Sequence, residues 1–264
     1  MTDYFDLDSL HQLQLNLALE VKRICENHNI RYFLVDGSAL GAVNLHDFLP
    51  WDDDLDIGMY WPDYQKFLKV CETELPTRYK MKDLTTDKSF GCSFGQLVDT
   101  NYDLVQENNQ KSNDIKGVFI DIHPFSNCSS SKVRRFWQYY RFKFYKSCLL
   151  QRRNYMNEKS RKAIVLKFIN RFISEKRIIK QILNFRNMKA GRYALKIHGR
   201  HPEDFILIEN VENIQPIDFC GYQFFIQPDA DRMLDTIYGD FDINKQEFNR
   251  HKILYLKRRD QLKT

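Results

Sequence analysis

The stretch of this chain best equipped for chemistry is DGSALGAVNLHDFLPWDDDLDIG, residues 36–58, where Gly37 and Ser38 precede carboxylates at Asp52, Asp53, Asp54 and Asp56. Side chains alternate along a strand, so an extended LDIGM segment puts Asp54 and Asp56 on one face while Leu55 and Ile57 pack on the other. Two carboxylates held that close repel one another unless a cation compensates them, and all-oxygen donors favour Mg²⁺ or Mn²⁺. A third carboxylate from a neighbouring strand would complete a site for phosphate transfer. Asp121, inside the apolar run of FIDIHP, is the best supplier. Upstream, a glycine permits close backbone approach and the Ser38 hydroxyl can bond a phosphate oxygen. A DxD triplet by itself fits a solvated acidic turn. The order of a strand, Gly-Ser, a DxD strand and a further Asp-bearing strand favours the catalytic reading.

Those side chains need a scaffold, and the surrounding sequence supplies one. Leu10, Leu13, Leu17, Val21 and Ile24 recur at helical spacing, predicting an amphipathic helix over 9–28 with Asp8 or Ser9 as its cap. RYFLVDGSALGAV passes from a β-prone run into Gly and Ser, as where a strand turns into a helix. Pro62 fits the first turn of a helix WPDYQKFLKVCETEL. SFGCSFGQLVDT and KGVFIDIHPF read as further strands, the second ending at Pro124. From Ser126 the character changes. KVRRFWQYYRFKFYKSCLLQRRNYM and SRKAIVLKFINRFISEKRIIKQILNF read as two long helices separated by a polar NEK segment. IDFCGYQFFIQ reads as a hairpin, and PDADRMLDTIYGD as a short helix closed by Gly239. The expected fold class is mixed α/β (α+β), with a catalytic core over 1–127, a basic helical insertion over 128–195 and a C-terminal completion of the core over 196–264.

Charge separates the same regions. The net +5 conceals a segment, residues 132–192, with 19 Lys and Arg against only Glu158 and Glu175, a local +17 that leaves −12 on the rest of the chain. Hydrophobic residues at 43% argue against disorder as the main state. The acidic start lacks the basic region and unbroken apolar run of a secretory signal, and no stretch approaches 18 uncharged apolar residues. The expectation is a cytoplasmic protein, with peripheral contact at the inner face of a membrane left open. Six scattered cysteines without a CxxC argue against structural zinc and for reduced, mostly buried thiols.

LVDGSALGAVNLHDFLPWDDDLDIGMY, followed by GVFIDIHPF and later MLDTIYGDF, resembles the LicD/fukutin-related family, which includes bacterial phosphocholine transferases and eukaryotic sugar-modifying phosphotransferases. The strand, Gly-Ser, DxD order is likewise similar to the nucleotidyltransferase pattern of the DNA polymerase beta superfamily, with a longer interval here. The resemblance implies a nucleotidyltransferase-like mixed sheet of that type. It makes Asp54, Asp56 and Asp121 metal ligands and catalytic residues, with Asp36, Gly37, Ser38, Asp52 and Asp53 in donor or substrate contact. It further implies a CDP-activated donor such as CDP-choline, a hydroxyl acceptor on a cell-surface glycan or glycolipid precursor, and release of CMP. Two departures stand out: His123 replaces a frequent aromatic after the Asp-Ile pair, and Gln96 stands where relatives often carry Lys.

Weaker candidates each have a plainer reading. Trp51 is either a stacking surface for cytosine or a quaternary ammonium, or a loop anchor. Tyr238 and Asp240 flank Gly239 in a motif the family shares, but the same residues make an ordinary helix stop. His123 is either a substrate contact or a satisfied core histidine. His198, His201 and His251 lack a metal partner set. Rival functions are nucleotidyl transfer from a nucleoside triphosphate, transfer of another CDP-linked phospho-alcohol, and a non-enzymatic protein binding nucleic acid or an anionic membrane through the basic helices. A stable nucleic-acid partner is not expected, because the acidic body would repel one.

Overall fold

The computed structural model describes residues 6–87, 90–106, 117–156, 160–186, 192–196, 205–239 and 253–259. Helix α1 (Leu7–Asn27) leads into strand β1 (Phe33–Leu34), helix α2 (Asp36–Leu45), strand β2 (Asp56–Tyr60) and helix α3 (Trp61–Glu74). Strands β3 (Tyr79–Lys82), β4 (Gly95–Asp99), β5 (Tyr102–Gln106) and β6 (Val118–Cys128) follow. The basic segment forms helices α4 (Lys132–Arg152), α5 (Arg161–Ile169) and α6 (Glu175–Arg186). The chain ends with β7 (Tyr193–Lys196), β8 (Phe205–Leu207), α7 (Ile208–Glu212), β9 (Gln215–Phe219), β10 (Tyr222–Ile226), α8 (Ala230–Tyr238) and β11 (Ile253–Arg258).

A mixed sheet orders its main strands β1-β2-β6-β4-β3, with β7 and β8 continuing from β6. Only the β2–β6 pair among the described strands is parallel, and it sets Asp56 opposite Asp121. Ile57, Met59, Leu97, Ile120 and Ile122 turn to one face, where they join the core built with α1 and α3. The alternation therefore sends Asp56, Gln96, Asp121 and His123 to the other face. A second apolar cluster, including Phe142, Leu149, Leu166, Ile178 and Ile182, holds α4, α5 and α6 together.

Local chemistry explains where elements begin and end differently from the sequence expectation. Helix α1 starts two residues earlier, because the Asp6 carboxylate, not Asp8 or Ser9, accepts from the Asp8 and Ser9 amides. Strand β6 runs through Pro124 to Cys128. It pairs with β4 over 118–122 and with β7 over 125–128, so the proline falls in the gap where that edge requires no donor. The second expected long helix is broken into α5 and α6. At the break Asn170 donates to the Cys148 carbonyl at 3.0 Å and Gln151 Oε1 at 2.7 Å, Arg152 bridges the carbonyls of Asn170 and Ile173, and Ser174 accepts from Arg177 at the start of α6. The NEK residues 157–159 lie outside the described residues. The hairpin of β9 and β10 turns at Cys220 and Gly221, both at positive φ, 51° and 77°. Gly239 closes α8 at φ 59°.

One charged contact fastens the helical segment to the sheet body. Arg186, at the end of α6 and 0% exposed, makes two hydrogen bonds to Asp83, at 2.7 and 3.0 Å, and one to the Ser93 carbonyl at 2.8 Å. Its guanidinium also lies over the Trp61 and Tyr64 rings of α3. Asp83 is further bound by the Tyr64 hydroxyl and by the Thr85 amide and hydroxyl. Burial alone would raise the Asp83 carboxyl; Arg186 and these donors outweigh it and hold it below its ordinary value.

Candidate active site

The turn from β1 into α2 carries the Gly-Ser pair. Asp36, the first residue of α2, has φ 51°, a strained conformation for a residue with a Cβ. Its carboxylate is held by the ammonium of Lys196, from β7. Gly37 is required by contact as well as by turn geometry, since a Cβ there would lie 2.0 Å from Asp52 Oδ2. Ser38 Oγ accepts the Asp56 amide at 2.8 Å, locking the N-terminus of α2 against the first residue of β2. The unpaired amides and positive dipole end of α2 thus face the acidic strand, an arrangement that favours bound anions.

The acidic loop is held from behind by α1. His11, whose imidazole burial keeps neutral, donates through Nε2 to the Asp52 carbonyl at 2.7 Å and stacks on Phe48 at 4.1 Å. Gln14 donates to the Asp53 carbonyl at 3.0 Å. Asp54 precedes β2 and gathers with Asp52 and Asp53, their ligand atoms within 4.8 Å of one another. Burial, and then the neighbouring Asp54, push the Asp52 carboxyl up to about 9.

The second group of ligand atoms within 4.8 Å comprises Asp36, Asp56 and His123. His123 Nε2 meets Asp56 Oδ1 at 2.7 Å, and burial drives the imidazole down to about 4. Asp121 lies beside Asp56 by register and receives a hydrogen bond from Gln96 Nε2 to Oδ1 at 2.9 Å. Burial first, then Asp56, raises the Asp121 carboxyl to about 7. Neighbouring strands are about 4.8 Å apart. At an effective dielectric of about 20, two full charges at that spacing repel by about 3 kcal/mol, so the shift has a sufficient cause. These oxygen donors suit a hard divalent cation: the arrangement raises carboxyls that a cation would return to their charged form.

Of the residues the sequence singled out, Asp36, Gly37, Ser38, Asp52, Asp53, Asp54, Asp56 and Asp121 converge on the α2–β2–β6 junction. Trp51 is 9% exposed and belongs to the main core cluster. Tyr238 is half-buried at the end of α8, and Asp240 lies outside the described residues, as do His198, His201 and His251. The two departures from the family pattern both touch site carboxylates, Gln96 on Asp121 and His123 on Asp56. His123, read from the sequence as either a substrate contact or a core histidine, lies two residues from Asp121 on the same strand face. Lys196 was not, since only tertiary folding brings it 160 positions back to Asp36. None of the six cysteines is in a disulfide, and no helix among the described residues is long and apolar enough to cross a membrane.

Comparison with known proteins gives matches in this region. Residues 29–160, half of the chain, match the nucleotidyltransferase domain described as LicD/FKTN/FKRP. Over 68 residues the chain is 37% identical to the lipopolysaccharide cholinephosphotransferase LicD of Haemophilus influenzae, covering 26% of each protein. Over 46 residues it is 44% identical to the ribitol 5-phosphate transferase FKRP of Homo sapiens and of Mus musculus, covering 17% of this chain and 9% of theirs. The matched stretch thus spans about a quarter of the bacterial relative and about a tenth of the mammalian ones.

Proposed function

From the premise that this chain belongs to the LicD/FKTN/FKRP nucleotidyltransferase family, we propose that it transfers phosphocholine from CDP-choline to a hydroxyl of a glycan or glycolipid precursor. The observation that carries the reading is the Asp56–Asp121 pair, set side by side on parallel strands against the N-terminus of α2. The name of the bacterial relative supports phosphocholine as the transferred group. Asp54, Asp56 and Asp121 would hold Mg²⁺ or Mn²⁺, which when bound supplies charge neutralisation on the diphosphate.

The chain's own groups account for binding and proton transfer. The α2 amides near Gly37 and Ser38 bind phosphate oxygens; Ser38 Oγ already accepts from Asp56, so its own proton is the one it donates. The acceptor hydroxyl oxygen forms a bond to the phosphocholine phosphorus as the bond from that phosphorus to the bridging oxygen breaks, and CMP leaves. Asp121, beside Asp56 on the neighbouring strand, is the carboxylate placed to accept the hydroxyl proton. Gln96 occupies Oδ1, which directs that proton to Oδ2. His123, kept neutral by burial, fixes the Asp56 carboxylate.

The test incubates purified protein with Mg²⁺, CDP-choline and glycan extract, following CMP release and a phosphocholine mass increase on glycan. Asp56→Asn should retain the melting temperature and lose at least about a hundredfold in rate. Normal metal-dependent transfer by that variant would overturn the assignment. The identity with the ribitol 5-phosphate transferase favours a second reading, transfer of another CDP-linked phospho-alcohol. CMP release from such a donor but not from CDP-choline would select it, whereas pyrophosphate release from a nucleoside triphosphate would select nucleotidyl transfer.

A further inference from the structure

Nine of the thirteen exposed large hydrophobic residues described in this chain lie between 133 and 172. They are not scattered. On α4, Val133, Phe136, Trp137, Tyr140 and Phe144 are 38–68% exposed, and at 3.6 residues per turn they occupy about 100° of arc. Their rings pack into a plate, with the Phe136 and Tyr140 centroids 4.4 Å apart. The opposite side of the helix buries Tyr139 and Phe142 against the rest of the protein, so the plate is not a misplaced core face. Helix α5 repeats the pattern: Ala163 and Leu166 are buried, while Ile164, Val165 and Phe168 are exposed and Phe168 stacks edge-on with Phe172 just beyond.

The charges around the plate say what covers it. Lys132 and Lys143 lie along one edge of the α4 arc, Arg134 and Arg141 along the other, and all four are exposed. Neither α4 nor α5 contains an acidic residue. A protein partner of ordinary surface would meet this ring with mixed charge. An aromatic plate bordered on both sides by cations matches the boundary of an anionic bilayer, where rings enter the headgroup–acyl region and the basic residues meet lipid phosphates. We propose that α4 and α5 form a membrane-docking surface that lies in the interface of an anionic bilayer. Its physical basis is separate from the acidic site and does not depend on which group that site transfers.

Tryptophan fluorescence of the full chain tests this directly. Trp51 and Trp61 are 9% and 8% exposed and Trp137 is 67% exposed, so a change on vesicle addition reports Trp137. Phosphatidylcholine vesicles containing about one-third phosphatidylglycerol should shift the emission to the blue and carry the protein in flotation; pure phosphatidylcholine should do neither. Trp137→Ser with Phe136→Ser should weaken binding by about tenfold or more at an unchanged melting temperature, and Arg134→Glu with Arg141→Glu by about the same factor. The proposal is overturned by failure to float with the anionic vesicles. It is equally overturned by flotation without a blue shift, which would mean charge contact alone, or by self-association or oligonucleotide binding that the Trp137/Phe136 variant loses while vesicle binding is unaffected.

Discussion

Replacing Arg186 by Met would leave the Asp83 carboxylate inside the protein with only the Tyr64 hydroxyl and the Thr85 amide and hydroxyl as donors. Both members of the pair are 0% exposed, so solvent screens little of the loss. Breaking a buried pair at one end costs about 3–5 kcal/mol. Protonation caps the damage, since neutralising a carboxyl of ordinary value 3.8 at pH 7 costs about 4 kcal/mol. At about 2–4 °C per kcal/mol for a chain of this size, the capped loss of about 3–4 kcal/mol should lower the melting temperature by about 6–16 °C. Asp83→Asn should be at least as harmful, because a buried guanidinium cannot discard its charge. The double variant Asp83→Asn/Arg186→Met should recover part of the loss, because no uncompensated charge remains. Thermal unfolding followed by circular dichroism reads all four proteins. A single Arg186→Met variant melting within about 2 °C of the parent, or strictly additive effects in the double variant, would refute the reasoning.

Acid should erase the same contact: Asp83 is held below its ordinary value, so its stabilisation is complete above 3.8 and disappears as pH falls through the folded-state value, and the melts of parent and Arg186→Met should converge as the pH is lowered through it. Gly37→Ala should lower activity and cost about 1–3 kcal/mol, because its methyl would sit 2.0 Å from Asp52 Oδ2; an unchanged melt and rate would show that the loop yields freely. Mg²⁺ at a hundredfold excess over its Kd should raise the melting temperature by the equivalent of about 2.7 kcal/mol, and Asp56→Asn should abolish the rise, as differential scanning fluorimetry with and without chelator would show.

The site was more legible than the scaffold because its signal is local. Gly37, Ser38 and the aspartates lie within 21 residues of sequence, and a period of two alone places Asp121 on the face opposite Ile120 and Ile122. The register that brings Asp56 beside Asp121 is different in kind: it joins strands separated by more than 60 residues and is fixed by packing on α1 and α3. Short strands such as β7 and β8 carry no readable alternation over three or four residues, although β7 delivers Lys196 to Asp36. Asp54 has a neighbourhood that alternation alone does not describe: it lies just before β2, gathers with Asp52 and Asp53, and also acts on the Asp121 carboxyl.

The basic segment was legible as charge and illegible as geometry. Helical periodicity ran unbroken through SRKAIVLKFINRFISEKRIIKQILNF, and what interrupts it is tertiary: Asn170 spends its amide on α4 and Arg152 takes the carbonyls at the turn. Breaking there redirects α6, and only that redirection lets Arg186 reach Asp83. In the sequence Arg186 is one more cation of the +17 segment, indistinguishable from Lys176, Arg177 and Lys180, which are exposed. Of one cationic run, then, the fold buries Arg186 on Asp83 and Arg135 over the Tyr193 and Phe205 rings, both against the sheet body, and leaves the cations bordering the α4 plate exposed. The division follows from partners: a carboxylate with three further donors waits for Arg186, whereas the acid-free helices α4 and α5 offer Arg134 and Arg141 no carboxylate of their own. Their exposure costs nothing in the free protein and leaves them to an external anion.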